Sequence, residues 1–323
     1  MKKIFWVKTV VTTLVLSIFS LFTLGTSSPA YAGYIDNPSG VYYDLSKHVY
    51  KVTGDRNFDE YNIESLIDVT QPDNKFQVID SISVNSGYSH PASKDNNSST
   101  LHVLDRTGFK AMAVVIPASK KLFIVFSGSQ DITDYNTARN IIQADTPGQL
   151  YQAQLYVNYI YKNFEEYGHY NWYFTGHSLG GWLAQKVYLD IRAANWVNTS
   201  GKYEYGGAIG KGNISGVYTF NALPLLKDSH VNPTQWNANK NGTYNNDVKN
   251  LYIENEWLNS IYDMYSYKLD YIGLQGGVDT SIPRYDEYNY DPSSLSYDIG
   301  GYALKSVPSA AHKLASLKNY VAR

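Results

Sequence analysis

The chain has 323 residues, with 27 Lys and Arg against 29 Asp and Glu, 31 Tyr and no Cys. A near-neutral charge without a basic cluster excludes a nucleic-acid surface, and the lack of Cys excludes both a disulfide scaffold and a lipoprotein anchor. The length allows one large α/β domain.

Residues 1–32 read as an export signal, with Lys2, Lys3 and Lys8 before an apolar run from Val10 to Leu24 and the small-x-small site Ala30-Tyr31-Ala32. Cleavage is expected after Ala32, with an uncleaved membrane anchor as the alternative, giving a secreted chain with one domain over 33–323 in preference to two small ones. Loss of three lysines takes the 27 basic residues to 24 against 29 acidic ones, a net charge near −5.

The first elements of that domain are a helix around Leu45 to Val52 and a strand within Phe76 to Val84; Asn85 to Ser99 is polar and reads as a loop. Phe109 to Ile116 and Leu122 to Phe126 are apolar, β-branched runs separated by five residues, which predicts two buried, hairpin-linked strands. Leu150, Ala153, Val157, Ile160 and Phe164 step by three and four, as one face of a helix does. A short buried strand is predicted at Trp172 to Thr175. A second helical period runs through Leu183, Ala184, Val187, Tyr188 and Ile191. Ala193 to Lys211 reads as a loop, and Val217 to Phe220 and Val248 to Ile253 as strands. This alternation predicts an α/β fold with a mainly parallel sheet covered by helices on both faces. The Tyr-rich stretch at about 255–303 reads as a loop-rich excursion, and its tyrosines as packing residues.

Gly176-His177-Ser178-Leu179-Gly180 matches G-x-S-x-G between a predicted strand and a predicted helix, the setting of a nucleophile elbow. A sharp turn there lifts the Ser178 hydroxyl clear of the sheet. It also needs small residues two before and two after, where the two backbones cross. A helix beginning at Leu179 leaves its first N–H groups unpaired, so the Leu179 N–H can face the oxyanion formed when Ser178 attacks a carbonyl.

These residues carry a resemblance to the class 3 lipase family, which includes fungal-type triacylglycerol lipases and bacterial relatives. The matching pieces are Gly108-Phe109-Lys110-Ala111-Met112-Ala113, Phe126-Ser127-Gly128-Ser129, the elbow Thr175 to Gly181, Val217-Tyr218-Thr219-Phe220, and Ala311-His312-Lys313-Leu314 with Tyr320. The resemblance implies the α/β-hydrolase fold and places the second oxyanion donor at Ser129. It also gives a departure, since the family usually carries Arg where this chain has Ser127.

Among His48, His90, His102, His169, His177, His230 and His312, the order nucleophile, acid, histidine leaves His312 as the base. His177 adjoins Ser178 and is expected to face away from the site. His230 follows the Val217 to Phe220 strand too closely for an acid to come between. His312 is also where the resemblance implies the base. The acid belongs just beyond the Val248 to Ile253 strand. Glu256 aligns with the family's acid, with Glu254 as the alternative and Asp263 behind it. The family's acid is usually Asp and is followed by a Pro that is missing here.

The implied chemistry is acyl transfer through Ser178, His312 and Glu256, without metal or organic cofactor. The implied substrate is an acylglycerol or related lipid ester at a lipid–water interface, with no stable protein partner evident. Asp131 to Asp145, carrying Ala138, Ile141 and Ile142, occupies the place of the family's lid. Phospholipase A1 or short-chain esterase activity fits the same residues. A non-catalytic lipid- or glycan-binding protein fits only the Tyr-rich stretch.

Overall fold

The computed structural model describes residues 40–56, 59, 76–84, 108–128, 148–193, 214–253 and 269–278. Its frame is a seven-stranded sheet in the order β1 (Gln77–Ser83), β2 (Lys110–Ile116), β3 (Lys121–Phe126), β4 (Asn171–His177), β5 (Ile214–Phe220), β7 (Val248–Ile253) and β9 (Leu274–Val278). The first three strands are antiparallel, and every later neighbour is parallel. Parallel strands need crossovers, which supply the helices α2 (Gly148–Asn163) between β3 and β4 and α3 (Leu179–Ala193) between β4 and β5. A short antiparallel pair, β6 (Leu225–Leu226) with β8 (Leu269–Asp270), stands beside the main sheet.

The apolar runs of β2, β3 and β4 are continuous because both faces of the sheet are covered. One face carries Ala113, Ile124, Phe126, Trp172, Phe174 and Val217 against Leu150, Tyr156, Leu183 and Val187 of α2 and α3. The other carries Val78, Met112, Val114, Phe123 and Val125 against Leu45 and Val49, from and just after α1 (Gly40–His48). Burying an aromatic or aliphatic side chain of this kind contributes roughly 1.5–3 kcal/mol, so these two layers supply most of the cohesion of the frame. Strand order, crossovers and the two covered faces make this an α/β-hydrolase fold: the chain-order reading expects the mainly parallel covered sheet, and the resemblance the hydrolase form.

Three elements differ from the sequence reading. The first helix begins at Gly40, ahead of the expected Leu45, and ends in a 3-10 turn at Val49–Lys51. Between β6 and β7 lies α4 (Pro233–Lys240), entered through an Asn232–Gln235 capping box with Pro at the first turn. Within the stretch at about 255–303, expected to be loop-rich, the described residues 269–278 hold β8 and the edge strand β9. Leu274-Gln275-Gly276-Gly277-Val278 has neither alternation nor β-branched content beyond its last residue. It pairs because the chain before it is pinned. Gln185 Oε1 accepts from the Ile272 N–H, Asn250 Nδ2 donates to the Ile272 carbonyl, and Asn239 Oδ1 accepts from the Gly273 N–H. The expected loops at Asn85 to Ser99 and Ala193 to Lys211 lie outside the described residues, apart from Ala193, the last residue of α3.

Candidate active site

Ser178 lies between the last residue of β4 and the first of α3, the position the elbow motif assigns to it. Its φ is 57°, a left-handed conformation that costs a non-glycine residue on the order of 1 kcal/mol or more. Three backbone hydrogen bonds hold it there. Its N–H donates to the Phe220 carbonyl at 3.0 Å, and its carbonyl accepts from Trp182 at 3.1 Å and Leu223 at 3.3 Å. The elbow is therefore clamped between its own helix and the carboxyl end of β5.

The flanking glycines have the steric reason the motif predicts. A Cβ on Gly176 would meet the Gly180 carbonyl carbon at 2.4 Å, and one on Gly180 would meet the Phe126 carbonyl oxygen at 2.2 Å. Real Cβ atoms do not approach so closely, so β3, β4 and α3 can cross here only without side chains. The N–H groups of Leu179, Gly180 and Gly181 stand in the first turn of α3, where no helical partner exists for them. That turn is the positive end of the helix dipole, beside the nucleophile.

His177 is 6 % exposed, and its Nδ1 is 2.7 Å from the Tyr50 hydroxyl, on the sheet face covered by α1. Nδ1 of the ring is thus engaged by a scaffold side chain. His230 is equally committed, its Nδ1 accepting from the Leu226 N–H and its ring standing edge-on to Trp182 at 5.1 Å.

The end of β3 reaches the nucleophile directly. A Cβ built on Gly128 would lie 3.2 Å from Ser178 Cβ, so the chain enters the predicted donor Ser129 from a point touching the elbow. Ser127, where the resemblance leads one to expect Arg, is buried. Its hydroxyl donates to the Gly128 carbonyl at 3.0 Å, and its N–H donates to Lys110 on β2. Lys110 Nζ in turn donates to the Tyr50 carbonyl at 3.3 Å. Support of the β3 end at Ser127-Gly128 therefore comes from β2 and the turn after α1.

Ser178 and Leu179 are brought together at the elbow. Ser129, Glu254, Glu256, Asp263, His312 and the expected lid at Asp131 to Asp145 lie outside the described residues. The described chain ends β7 at Ile253, directly before Glu254 in sequence, and resumes at β8 and β9.

The sequence reading passed over two features of the site. Asn221, buried at the carboxyl end of β5, has φ 41° and donates its N–H to Leu251 of β7. Its signal was present, since Asn is among the few side chains that tolerate the left-handed region and it ends a predicted strand. Tyr50 left no such trace, because its contact with His177 spans 127 positions of sequence.

No family model and no curated sequence matches the chain. Among solved structures it is similar to the Rhizomucor miehei lipase propeptide complex, at 16 % identity over 75 % of this chain and 68 % of that one, with a TM-score of 0.43. It is similar to lipase II from Rhizopus niveus at 12 % identity, over 76 % of this chain and 83 % of that one, TM-score 0.43. It is also similar to Lip2 lipase from Yarrowia lipolytica at 12 % identity, over 75 % and 80 % of the two chains, TM-score 0.39. At these values the likeness carries neither site residues nor substrate.

Proposed function

We propose that this protein is a secreted serine ester hydrolase, acting on acylglycerols or related lipid esters through an acyl-enzyme on Ser178. The observation that carries the reading is the strained elbow, with Ser178 at φ 57° between a buried parallel strand and a helix N-terminus. A structural serine has no need of that conformation, whereas a nucleophile uses it to expose its hydroxyl above the sheet.

In this reading His312 takes the proton from Ser178 during attack and returns it to the leaving alcohol. Water then cleaves the acyl-enzyme with His312 again acting as base. Glu256 holds the imidazole in the right tautomer, with Glu254 as the alternative acid. The N–H groups of Leu179 and Ser129 receive the oxyanion, each donor being worth about 3 kcal/mol of transition-state stabilisation. The apolar residues Ala138, Ile141 and Ile142 gate the site and favour lipid-like substrates.

The test is a p-nitrophenyl ester series of rising chain length, alongside emulsified triacylglycerol and phosphatidylcholine, with wild type and Ser178→Ala. A lipase hydrolyses the long acyl esters and the emulsion, and Ser178→Ala abolishes both. Release of the sn-1 fatty acid from phosphatidylcholine, without hydrolysis of the emulsion, would make it a phospholipase A1, and turnover confined to short soluble esters an esterase. No turnover of any ester in the wild type would overturn the reading.

A further inference from the structure

An oxyanion hole built from two separate chain segments works only if their spacing is fixed, because each donor must lie 2.7–3.1 Å from the developing charge. In the reading above the donors are Leu179, at the elbow, and Ser129, which follows the β3 end at Ser127-Gly128 in sequence; the elbow and that strand end are the two described segments. One side-chain atom stands between them. The Tyr50 hydroxyl is 2.7 Å from His177 Nδ1, the residue before the nucleophile. The same oxygen lies 2.3 Å from where a Cβ on Gly128 would be, so it fills the space which glycine leaves open at the end of β3. The His177 carbonyl oxygen is 2.5 Å from that point and Ser178 Cβ 3.2 Å from it. Tyr50, the elbow and the strand end thus converge on a single backbone carbon.

Tyr50 is itself well anchored. Its carbonyl accepts from Lys110 Nζ, and Lys110 also receives the Ser127 N–H on its own carbonyl, so one β2 residue ties Tyr50 to the strand end from behind. One turn earlier, the buried Ser46 hydroxyl is 3.0 Å from the Thr175 hydroxyl. Ser46 and Tyr50 are four apart, while Thr175 and His177 are two apart on one face of β4. The α1 segment is therefore fastened at two successive sites on the strand that ends in the nucleophile.

We propose that Tyr50 is a positioning residue of the active site: by bonding His177 Nδ1 and packing on Gly128, its hydroxyl sets the separation of the elbow and the β3 end, and with it the width of the oxyanion hole. This rests on the hydrolase reading above. The Tyr50 hydroxyl and His177 Nδ1 share one hydrogen bond, in which either can donate according to the His177 tautomer. Loss of the hydroxyl leaves the strand end free to shift towards the vacated space. Small displacements of a donor weaken binding of the charged transition state while leaving the neutral ester's binding nearly unaltered.

The test uses Tyr50→Phe, which removes a single oxygen, and His177→Phe, which removes the partner nitrogen. Each is assayed with p-nitrophenyl butyrate and with an alkyl boronic acid as an oxyanion analogue. The expected result for Tyr50→Phe is a kcat lower by about tenfold with KM within twofold. Boronate affinity should fall by a similar factor. The double variant should lose no more than the larger single loss, because both remove the same bond. A purely structural role would lower thermal stability without splitting kcat from KM or weakening the boronate, and that outcome overturns the proposal. So does a Tyr50→Phe kcat within twofold of wild type, or single losses that multiply. If one variant does not fold, the other reads the same bond. Wild type without ester turnover sinks the hydrolase reading itself, whereas an active wild type matched by Tyr50→Phe sinks only the role of Tyr50.

Discussion

Gly180 lies so close beneath Phe126 that a methyl group on it would stand 2.2 Å from the Phe126 carbonyl oxygen. The first turn of α3 and the end of β3 are in backbone contact there, beside Ser178. Gly180→Ala must push one of them away. It should cost about 3 kcal/mol or more in urea unfolding, at the upper end of overpacking, and should abolish ester turnover. An alanine variant with wild-type stability and activity would contradict this packing.

The strain at Ser178 has its own signature. With φ at 57°, alanine keeps the left-handed penalty and glycine does not. Ser178→Gly should therefore be more stable than Ser178→Ala by about 1 kcal/mol, although glycine adds freedom to the unfolded chain. The difference is read from the midpoints of paired denaturation curves. Equal stability, or a more stable alanine variant, would contradict a strained elbow.

Between α2 and α3, Lys186 and Asp190 form a buried ion pair, and Gln154 Nε2 donates to the same carboxylate at 2.9 Å. Burial pushes the Asp190 carboxyl above its ordinary value, and Lys186 and Gln154 pull it back. Breaking such a pair costs about 3–5 kcal/mol, while replacing both members is often neutral. Lys186→Met alone should therefore be strongly destabilising, and Lys186→Met with Asp190→Asn should recover most of the loss. Thermal melts of the two variants check this, and equal melting temperatures would refute it.

Three phenols should weaken the fold at high pH, Tyr156 and Tyr188 being fully buried and Tyr42 partly so. Burial, the first cause in each case, raises Tyr42, Tyr156 and Tyr188 above their ordinary value of 10.0. Neighbouring Tyr173, Asp80 and Asp247 respectively add to it. The folded chain thus holds these protons more tightly than the unfolded one. Their contribution is whole below about pH 10 and is lost as pH climbs through the raised folded values. Stability should fall above pH 10 by up to about 1.4 kcal/mol per pH unit for each phenol. Tyr42→Phe should reduce that slope by one proton. An unchanged slope would mean that Tyr42 titrates alike in both states.

The acid of the triad is separable by neutral substitution. Glu256→Gln should lower kcat by about 10⁴ while keeping the side chain's shape, and Glu254→Gln should leave it near wild type. The reverse pattern would move the acid to Glu254.

The frame was legible because its signals are local. The apolar runs at β2 and β3, the helical period from Leu150 to Phe164 and the crowded glycines around Ser178 each declare themselves within one stretch of chain. β9 escaped because Gln275, Gly276 and Gly277 carry no strand pattern. Its place is fixed by Gln185, Asn239 and Asn250, which belong to other elements. α4 escaped although its capping box, Asn232 to Gln235, stood in the sequence, since an eight-residue polar helix has little apolar period to find. Tyr50 could not be found at all without knowing that α1 lies on the face of β4 that carries His177.

The central claim is that the Ser178 hydroxyl is a nucleophile, and covalent capture tests it most directly. The mature protein is treated with a fluorophosphonate probe, digested, and the modified peptide located by mass spectrometry, with Ser178→Ala in parallel. The expected result is one adduct per chain, on Ser178, formed in step with loss of esterase activity and absent from the variant. Full esterase activity after exhaustive treatment, or an adduct that persists in Ser178→Ala, would contradict it.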